Sequence, residues 1–553
     1  MLDLSVINAM FPPDLPEPAD WERRFGPRDL PDGAEVTRFA PSPTGHLHIG
    51  GLYTAAVARA LARQSGGVHV LRVEDTDRVR HVAGAAQEFS RLLDAFGLAP
   101  DEGGAAGDGA WGPYLQSERR DVYLSHVRDL LRRDRAYPCF CDRDRLALSA
   151  EEQRAGRSPL GYYGRWAPCR TSTPEEAARR LAAGEPYVVR FRCPYEFPGR
   201  VRFTDRIRGS VTMQDNGNDI VLLKSSRPSS PEELPLPTYH FAHVVDDHLM
   251  RVTLVLRGEE WLSSAPVHLQ LHAALGFEPP AYAHLAPLMK AEGASRRKLS
   301  KRKDPEASVE YYLAAGYPPA AVQHYLRGLA NIRLMDVPTA DALAAQVRLD
   351  GMRPSGPLLD LPKLHSLSRE FIASLAPHEL YAQLLAWAKE YDPELAFVLT
   401  RHERLALAAV AVARPEGAPA RKDLERWSCF RDRYGFLFTE LFGSAPPAGD
   451  DLYGGLAPDL VRRIAAGFAR EATGAATSDE WYGLLRELAG RHGFAPDTAA
   501  WRRDPDRWAG PPRDVANVVR VALTGAVRSP DLFAVARALG RDEVRRRLTA
   551  LAG

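Results

Sequence analysis

The chain has 553 residues, 45% hydrophobic and 26% charged, the balance of a globular protein with several domains. No run of about 18 apolar residues occurs, so no helical membrane span is expected, and Met1–Met10 lacks the basic start and long apolar core of a secretory signal. A formal charge of +1 means that any nucleic-acid-binding face must be local, and five cysteines point to a reducing, cytoplasmic compartment rather than a disulfide scaffold.

Residues 1–34 carry Pro12, Pro13, Pro16, Pro18, Pro27 and Pro31 and read as a partly irregular extension laid over a domain surface. Residues 35–115 predict β-α-β-α order. Val36-Thr37-Arg38-Phe39 reads as a strand and runs into a turn punctuated by Pro41, Pro43 and Gly45. An alanine-rich helix follows from Leu52. Such a strand-to-helix junction presents unpaired N–H groups and the positive helix end to an anion, although a glycine-rich turn alone is equally a plain tight turn. His46 and His48 lie on this loop rather than on an apolar face. Val68–Val73 is the next strand and Ala85–Phe96 an amphipathic helix, which together predict a parallel sheet with its ligand edge at the strand C-termini. Glu74, Asp75 and Asp77 follow the second strand, as pocket carboxylates or as caps of the next element.

Gln116–Arg119 heads a long helix ending near Arg135, and residues 116–208 then interrupt the α/β alternation. Cys139, Cys141 and Cys169 are either three zinc ligands or buried free thiols; a tetrahedral site would take its fourth ligand from a residue such as Tyr162 or Asp142. Tyr187–Cys193 and Val201–Phe203 alternate and predict one antiparallel sheet. Its arginines, Arg190, Arg192, Arg200 and Arg202, either meet RNA phosphates or form a solvated face. Strand and helix alternation resumes over 209–290, with a strand at Val252–Leu256 that delivers Arg257 to the same edge as the opening loop. The basic run Arg296–Lys303 is a solvated linker or a cationic loop that closes over phosphates. From about residue 305 the pattern is helical, with breaks near 353–357, 414–419 and 445–458. Arg541 and Arg545–Arg547 read as a solvated terminal helix or an RNA contact.

His48-Ile-Gly50-Gly51 resembles the HIGH signature of class I aminoacyl-tRNA synthetases, and Lys298-Leu-Ser300-Lys301-Arg302 resembles their KMSKS loop. The full string Arg38–Gly51, the segment Leu71–Asp77, Pro237–Asp247 and Arg257–Trp261 resemble the glutamyl-tRNA synthetases in particular, and the likeness runs from about residue 35 to the end. It implies an α/β fold: a Rossmann-like parallel sheet (35–115 and 209–290) holding an inserted α+β acceptor-stem domain (116–208), then a signature-loop and stem-contact region (291–355) and an all-α anticodon-binding region (356–553).

The implied reaction joins glutamate to the 3′ end of tRNA(Glu) through a glutamyl-adenylate, using ATP with Mg²⁺. The attacking α-carboxylate is already an anion, so catalysis is positioning and charge stabilisation. The resemblance assigns His48, Lys298 and Lys301 to catalysis. It assigns Gly50, Gly51, Glu260 and Ser300 with them to ATP, and Arg38, Ser42, Glu74, Tyr239, His243 and Arg257 to glutamate. Relatives often carry Asn or Val in place of His243, and their Gly-Arg-Cys reads Gly164-Arg165-Trp166 here, which leaves zinc open. His46 falls outside the signature. A monomer with no membrane partner is expected, and charging of tRNA(Gln) stays open. Three other readings are a tRNA-base-glutamylating relative, a glutaminyl sister enzyme and an inactive RNA-binding paralogue. The helical C-terminal part disfavours the first two, and the intact signature residues disfavour the third.

Overall fold

Strand β1 (Val36–Phe39) is buried at all four positions and lies in the middle of the main sheet. The computed structural model describes residues 2–43, 45–77, 82, 84–104, 109–194, 199–225, 235–300, 302–414, 419–471 and 475–553. They divide into two units, Met1–Tyr311 with Gln323–Asp360, and Tyr312–Val322 with Leu361–Gly553.

In the first unit β1 pairs in parallel with β2 (Val68–Leu71) on one side and, on the other, with the strand Leu254–Gly258. The remaining strands in chain order are β3 (Glu102–Gly103), β4 (Ala136–Cys139), β5 (Val188–Phe191), β6 (Arg200–Asp205), β7 (Gly209–Gln214), β8 (Val221–Leu223), then β9 (that same Leu254–Gly258), β10 (Ala281–Leu285), β11 (Met289–Glu292) and β12 (Ser295–Lys298). The main sheet has the order β3-β2-β1-β9-β10-β6-β7. All its pairings are parallel except β6 with β7. The chain progresses outward from β1 to β2 and β3 in one direction and from β9 to β10 in the other, with the earlier β6 and β7 completing that edge. The crevice between β1 and β9 is therefore the switch point at which open α/β sheets bind ligands.

The antiparallel sheet expected over 187–208 does not form as one unit. β5 pairs with β4 and β8 in a separate three-stranded sheet, whereas β6 runs parallel to β10 and extends the main sheet. The reason lies at the end of β6. Asp205 is buried and accepts from the backbone N–H and the ring Nδ1 of His284 on β10, at 3.1 and 2.6 Å. Alternation marks a strand but does not name its neighbour.

Arg190 and Arg192 are committed within the fold. Arg190 is buried, stacks over Tyr162 at 3.9 Å and donates to the Asp219 carbonyl at 2.9 Å. Arg192 stacks over Tyr137 at 4.8 Å and donates to the Arg170 carbonyl at 3.0 Å. Neither has the open fork that phosphate recognition uses.

The extension forms two short helices, Leu4–Ala9 and Pro18–Arg24. Trp21 and Phe25 bury themselves in a core shared with Val122, Val127, Phe241 and Val245. Charged ties surround this apolar anchor. Glu17 accepts from Arg128 at 2.9 Å, and Glu22 accepts from Arg251 at 2.7 Å. Arg28 grips Glu102 with two nitrogens, at 2.6 and 2.9 Å. Through these contacts the extension fastens the helices Arg120–Arg132 and Tyr239–Leu249, which flank the switch-point crevice.

Among the described residues of the second unit every regular element is a helix. One core gathers Leu384, Leu399, Phe430 and Phe438, and another Ile464, Trp481, Val518 and Leu548. Arg547 departs from both expectations for the terminal basic run. It is buried and donates to the carbonyls of Leu523 and Phe436, at 2.6 and 2.7 Å, and to Glu543 at 2.7 Å. Orphan helix-end carbonyls recruit it inward. No described helix is long and apolar enough to cross a membrane.

Candidate active site

Two loops leave adjacent strands at the C-terminal edge and meet: the Glu74 N–H donates to the Pro41 carbonyl at 3.0 Å. Beneath them six charged side chains are buried together. Arg72 donates to Asp247 at 2.6 Å and to Glu74 at 3.1 Å, and its Nε lies 3.8 Å from Asp246. Arg119 donates to Asp246 at 2.6 Å, where Tyr123 and Gln116 also donate, at 2.7 and 2.9 Å. Arg38 reaches Asp247 at 3.2 Å and the Leu256 carbonyl at 3.3 Å, with His243 Nδ1 also 3.3 Å away. Buried charge persists only when paired and hydrogen-bonded, and here three arginines meet three carboxylates.

This balance sets protonation. Burial alone pushes the Asp247 carboxyl up, but Arg38 and Arg72 override it and hold it below the ordinary carboxylate range. At Glu74 burial prevails over Arg72 and Arg38 and the carboxyl is pushed up, so an arriving ammonium group would favour its charged form. Asp75 does not cap the next described helix but is taken up within the fold: it accepts from the Ser117 backbone N–H at 2.8 Å and its hydroxyl at 2.6 Å.

Around this floor stand the other residues expected to hold glutamate. Tyr239 opens the helix Tyr239–Leu249, with its ring against Trp261 at 4.4 Å and stacked on His243 at 5.6 Å. Arg257 is buried near the end of β9, and its Nη2 has no hydrogen-bond partner among the described residues. Ser42 is exposed on the turn after β1.

The helix Ile49–Gln64 begins at His48, whose Nδ1 accepts from the Gly50 N–H at 2.9 Å. With Nδ1 accepting, the neutral ring carries its proton on Nε2, a donor. His48, Gly50 and Gly51 line a cavity of about 340 Å³ together with Gly258, Glu260, Leu288 and Lys298, within the usual range for a ligand pocket. A Cβ at Gly258 would sit 2.3 Å from a Glu260 carboxylate oxygen. Glycine there lets Glu260 fold back over the strand end.

The cationic segment is more ordered than its composition suggests. It starts inside the hairpin β11–β12, and exposed Lys298 ends β12. Asp304 is the hub: its buried carboxylate accepts from Arg297 at 2.6 and 2.7 Å, Lys290 at 2.9 Å and the Ser300 N–H at 2.9 Å. These donors, Arg297 first, hold it well below the usual carboxylate range. Lys301 lies outside the described residues. His46 is exposed and pairs with Glu310 at 3.0 Å.

The three cysteines converge, their sulfur atoms all within 4.8 Å of one another. The buried Tyr162 hydroxyl lies 3.3 Å from the Cys139 sulfur and 3.2 Å from that of Cys141. Asp142, the other candidate fourth ligand, instead caps the helix Arg143–Ala155 by accepting from the Arg145 N–H at 2.8 Å.

Arg72, Arg119, Asp246, Asp247 and Asp304 were not singled out from the sequence. Leu71–Asp77 and Pro237–Asp247 stand out in the sequence as segments, but pairing across the sheet has no local signal.

Residues 35–346 match the family described as tRNA synthetases class I (E and Q), catalytic domain, and residues 511–552 an anticodon binding domain. Among curated proteins the chain is 39% identical over 551 residues to a glutamate–tRNA ligase of Clostridium perfringens, covering 98% of this chain and 99% of that one. It is 37% identical over 566 residues to one of Sorangium cellulosum, covering 96% and 97%. Two solved structures are similar. One is a glutamate–tRNA synthetase from Elizabethkingia anophelis, with TM-score 0.73 and 26% identity. The other is a glutamate tRNA ligase from Elizabethkingia meningosepticum in complex with its amino acid, with TM-score 0.75 and 25% identity. Each alignment covers 94% of this chain and 99% of the other.

Replacing Asp304 with alanine removes the shared counter-charge of Arg297 and Lys290. Trypsin cleavage within 296–303 is expected to accelerate about tenfold or more as local opening becomes easier. Cleavage at the wild-type rate would contradict the hub.

Proposed function

The chain belongs to the glutamate–tRNA ligase family of class I synthetases, and we infer from this how its own residues serve the reaction. The enzyme ligates L-glutamate to tRNA with ATP, in translation. The observation that best supports the assignment of roles is the convergence of His48, Gly50, Gly51, Glu260 and Lys298 on one cavity beside the buried charges.

ATP lies in that cavity, its ribose held by Glu260. Its phosphates face His48 Nε2, the N–H groups of Gly50 and Gly51 and the positive end of the helix Ile49–Gln64. Lys298, Lys301 and Ser300 approach from the other side, and Mg²⁺ enters as part of the ATP substrate. Glutamate lies over the charged floor. Its ammonium group meets Glu74, its side-chain carboxylate meets Arg257 with Arg38, and Tyr239 and Ser42 close the pocket. His243 orients Arg38 rather than touching the reacting atoms. The glutamate α-carboxylate attacks the α-phosphorus of ATP and pyrophosphate leaves. The terminal adenosine hydroxyl of tRNA(Glu) then takes the glutamyl group. No general base is needed in the first step, so the residues act by alignment and by donors aimed at the transferring phosphoryl group.

Cys139, Cys141, Cys169 and Tyr162 hold a structural zinc ion in the insertion. Four tetrahedral donors at the usual zinc–sulfur length place sulfurs about 3.8 Å apart, and Cys141 and Cys169 lie 3.7 Å apart. When bound, the ion cross-links the end of β4 to the turn around Cys169. The helical residues 361–553 meet the anticodon region, and the enzyme acts as a cytoplasmic monomer.

Glutamate-dependent ATP–pyrophosphate exchange, with and without total tRNA, tests the activity, and absence of exchange in both conditions would overturn it. Glu74→Gln is expected to raise KM for glutamate about tenfold or more with little change for ATP; equal effects on both would refute its assignment. Metal analysis of the purified protein is expected to give one zinc per chain, lost in Cys141→Ser; zinc absent from the wild type would refute the site.

A further inference from the structure

Arg38 and Arg72 reach a carboxylate directly. Arg257 does not: among the described residues no Asp or Glu oxygen pairs with it, although it is 5% exposed. Two histidines hold it instead. Its Nε donates to His284 Nε2 at 3.0 Å, and its Nη1 lies 3.1 Å from His268 Nδ1. Arginine only donates, so each ring must accept at that nitrogen and carry its proton on the other. His284 Nδ1 then donates to Asp205 at 2.6 Å, and His268 Nε2 donates to His240 Nδ1 at 3.0 Å.

The result is a hydrogen-bonded chain, Asp205–His284–Arg257–His268–His240. The nearest carboxylate in it stands a whole imidazole away from the guanidinium. Burial keeps these rings neutral: His268 falls well below the ordinary value, His240 to about 4, and His284 is lowered despite its bond to Asp205. Nη2, buried and without a partner among the described residues, is left for a ligand.

We propose that His268 is a positioning residue that determines amino-acid specificity: it fixes Arg257 through a neutral acceptor and so keeps the guanidinium charge uncancelled for the side-chain carboxylate of glutamate. This rests on the reading of Arg257 as the group that meets that carboxylate. A carboxylate at position 268 would fix the arginine equally well, yet it would supply the counter-charge itself. The bound glutamate would then face a neutralised pair, and the amide of glutamine would no longer be at a disadvantage. Neutral acceptors orient the cation, and the substrate alone completes the ion pair.

The test compares His268→Glu with His268→Gln in the full chain, measuring KM for glutamate and for ATP, and the preference for glutamate over glutamine, by pyrophosphate exchange. His268→Gln keeps a neutral acceptor and is expected to stay within about threefold of the wild type. His268→Glu is expected to raise KM for glutamate about tenfold or more and to lower the preference by a similar factor, with KM for ATP unchanged. His268→Asp replaces it if the longer acid does not fold. The inference is overturned if the acidic variant leaves glutamate KM and preference within about twofold, or if His268→Gln moves them as far. Arg257→Gln is the control. If it too leaves glutamate KM unchanged, the reading of Arg257 itself fails; if it raises KM while the acidic variant does not, only the role of His268 fails.

Discussion

Arg72 sits at the bottom of the crevice with no solvent exposure and contacts Asp247, Glu74 and Asp246. Taking such charges out of water costs several kcal/mol each unless partners restore the lost interactions. The partners come from far apart in the chain: the loop after β2, the turn that begins at Gln116 and the helix Tyr239–Leu249. Each of the six groups is held by at least one opposite charge, for all but Glu74 one supplied from another segment. The lattice therefore fixes where Glu74 and Arg38 stand, and it absorbs the protein's own carboxylates. Arg257, outside the lattice and held by imidazoles, retains an uncompensated charge at the edge of the same crevice.

The cavity lined by His48 and Lys298 is tied down by backbone bonds and by charge together. The Val309 N–H donates to the Leu47 carbonyl at 3.1 Å, and His48 bridges to Ser308. The end of the cationic segment is thus joined to the start of the helix Ile49–Gln64, which the first signature occupies. Asp304 gathers the other end through Arg297 and Lys290. Two stretches distant in sequence share one structural base, and His48 and Lys298 line the same cavity.

Periodicity and punctuation made much of this legible. The buried run Val36–Phe39, the prolines and glycines after it and the alanine-rich helix read correctly because the signals are local. The C-terminal helices read correctly for the same reason. Partnership did not. β6 alternates like any half-buried strand, and contacts at its end, the buried Asp205–His284 pair among them, join it to the main sheet. Arg547 lies in a basic run on a terminal helix, and the carbonyls that draw it inward belong to other helices. Tyr162 and Asp142 look alike as neighbours of the cysteines in sequence, and only the fold shows the Tyr162 hydroxyl against two of the sulfurs and Asp142 at a helix start. Asp246 and Asp247 belonged to a noticed segment, but a carboxylate pair looks the same in sequence whether it is solvated or clamped by three arginines.

A structure determined with L-glutamate bound tests the central claim most directly, because the claim concerns which cation is left without a protein counter-charge. The account predicts the side-chain carboxylate on Arg257 with an oxygen about 2.8 Å from Nη2, and the ammonium group against Glu74. His268 and His284 should still accept from the guanidinium. A carboxylate bound by Arg38 alone, with Arg257 Nη2 unpartnered or turned to a protein carboxylate, would contradict it.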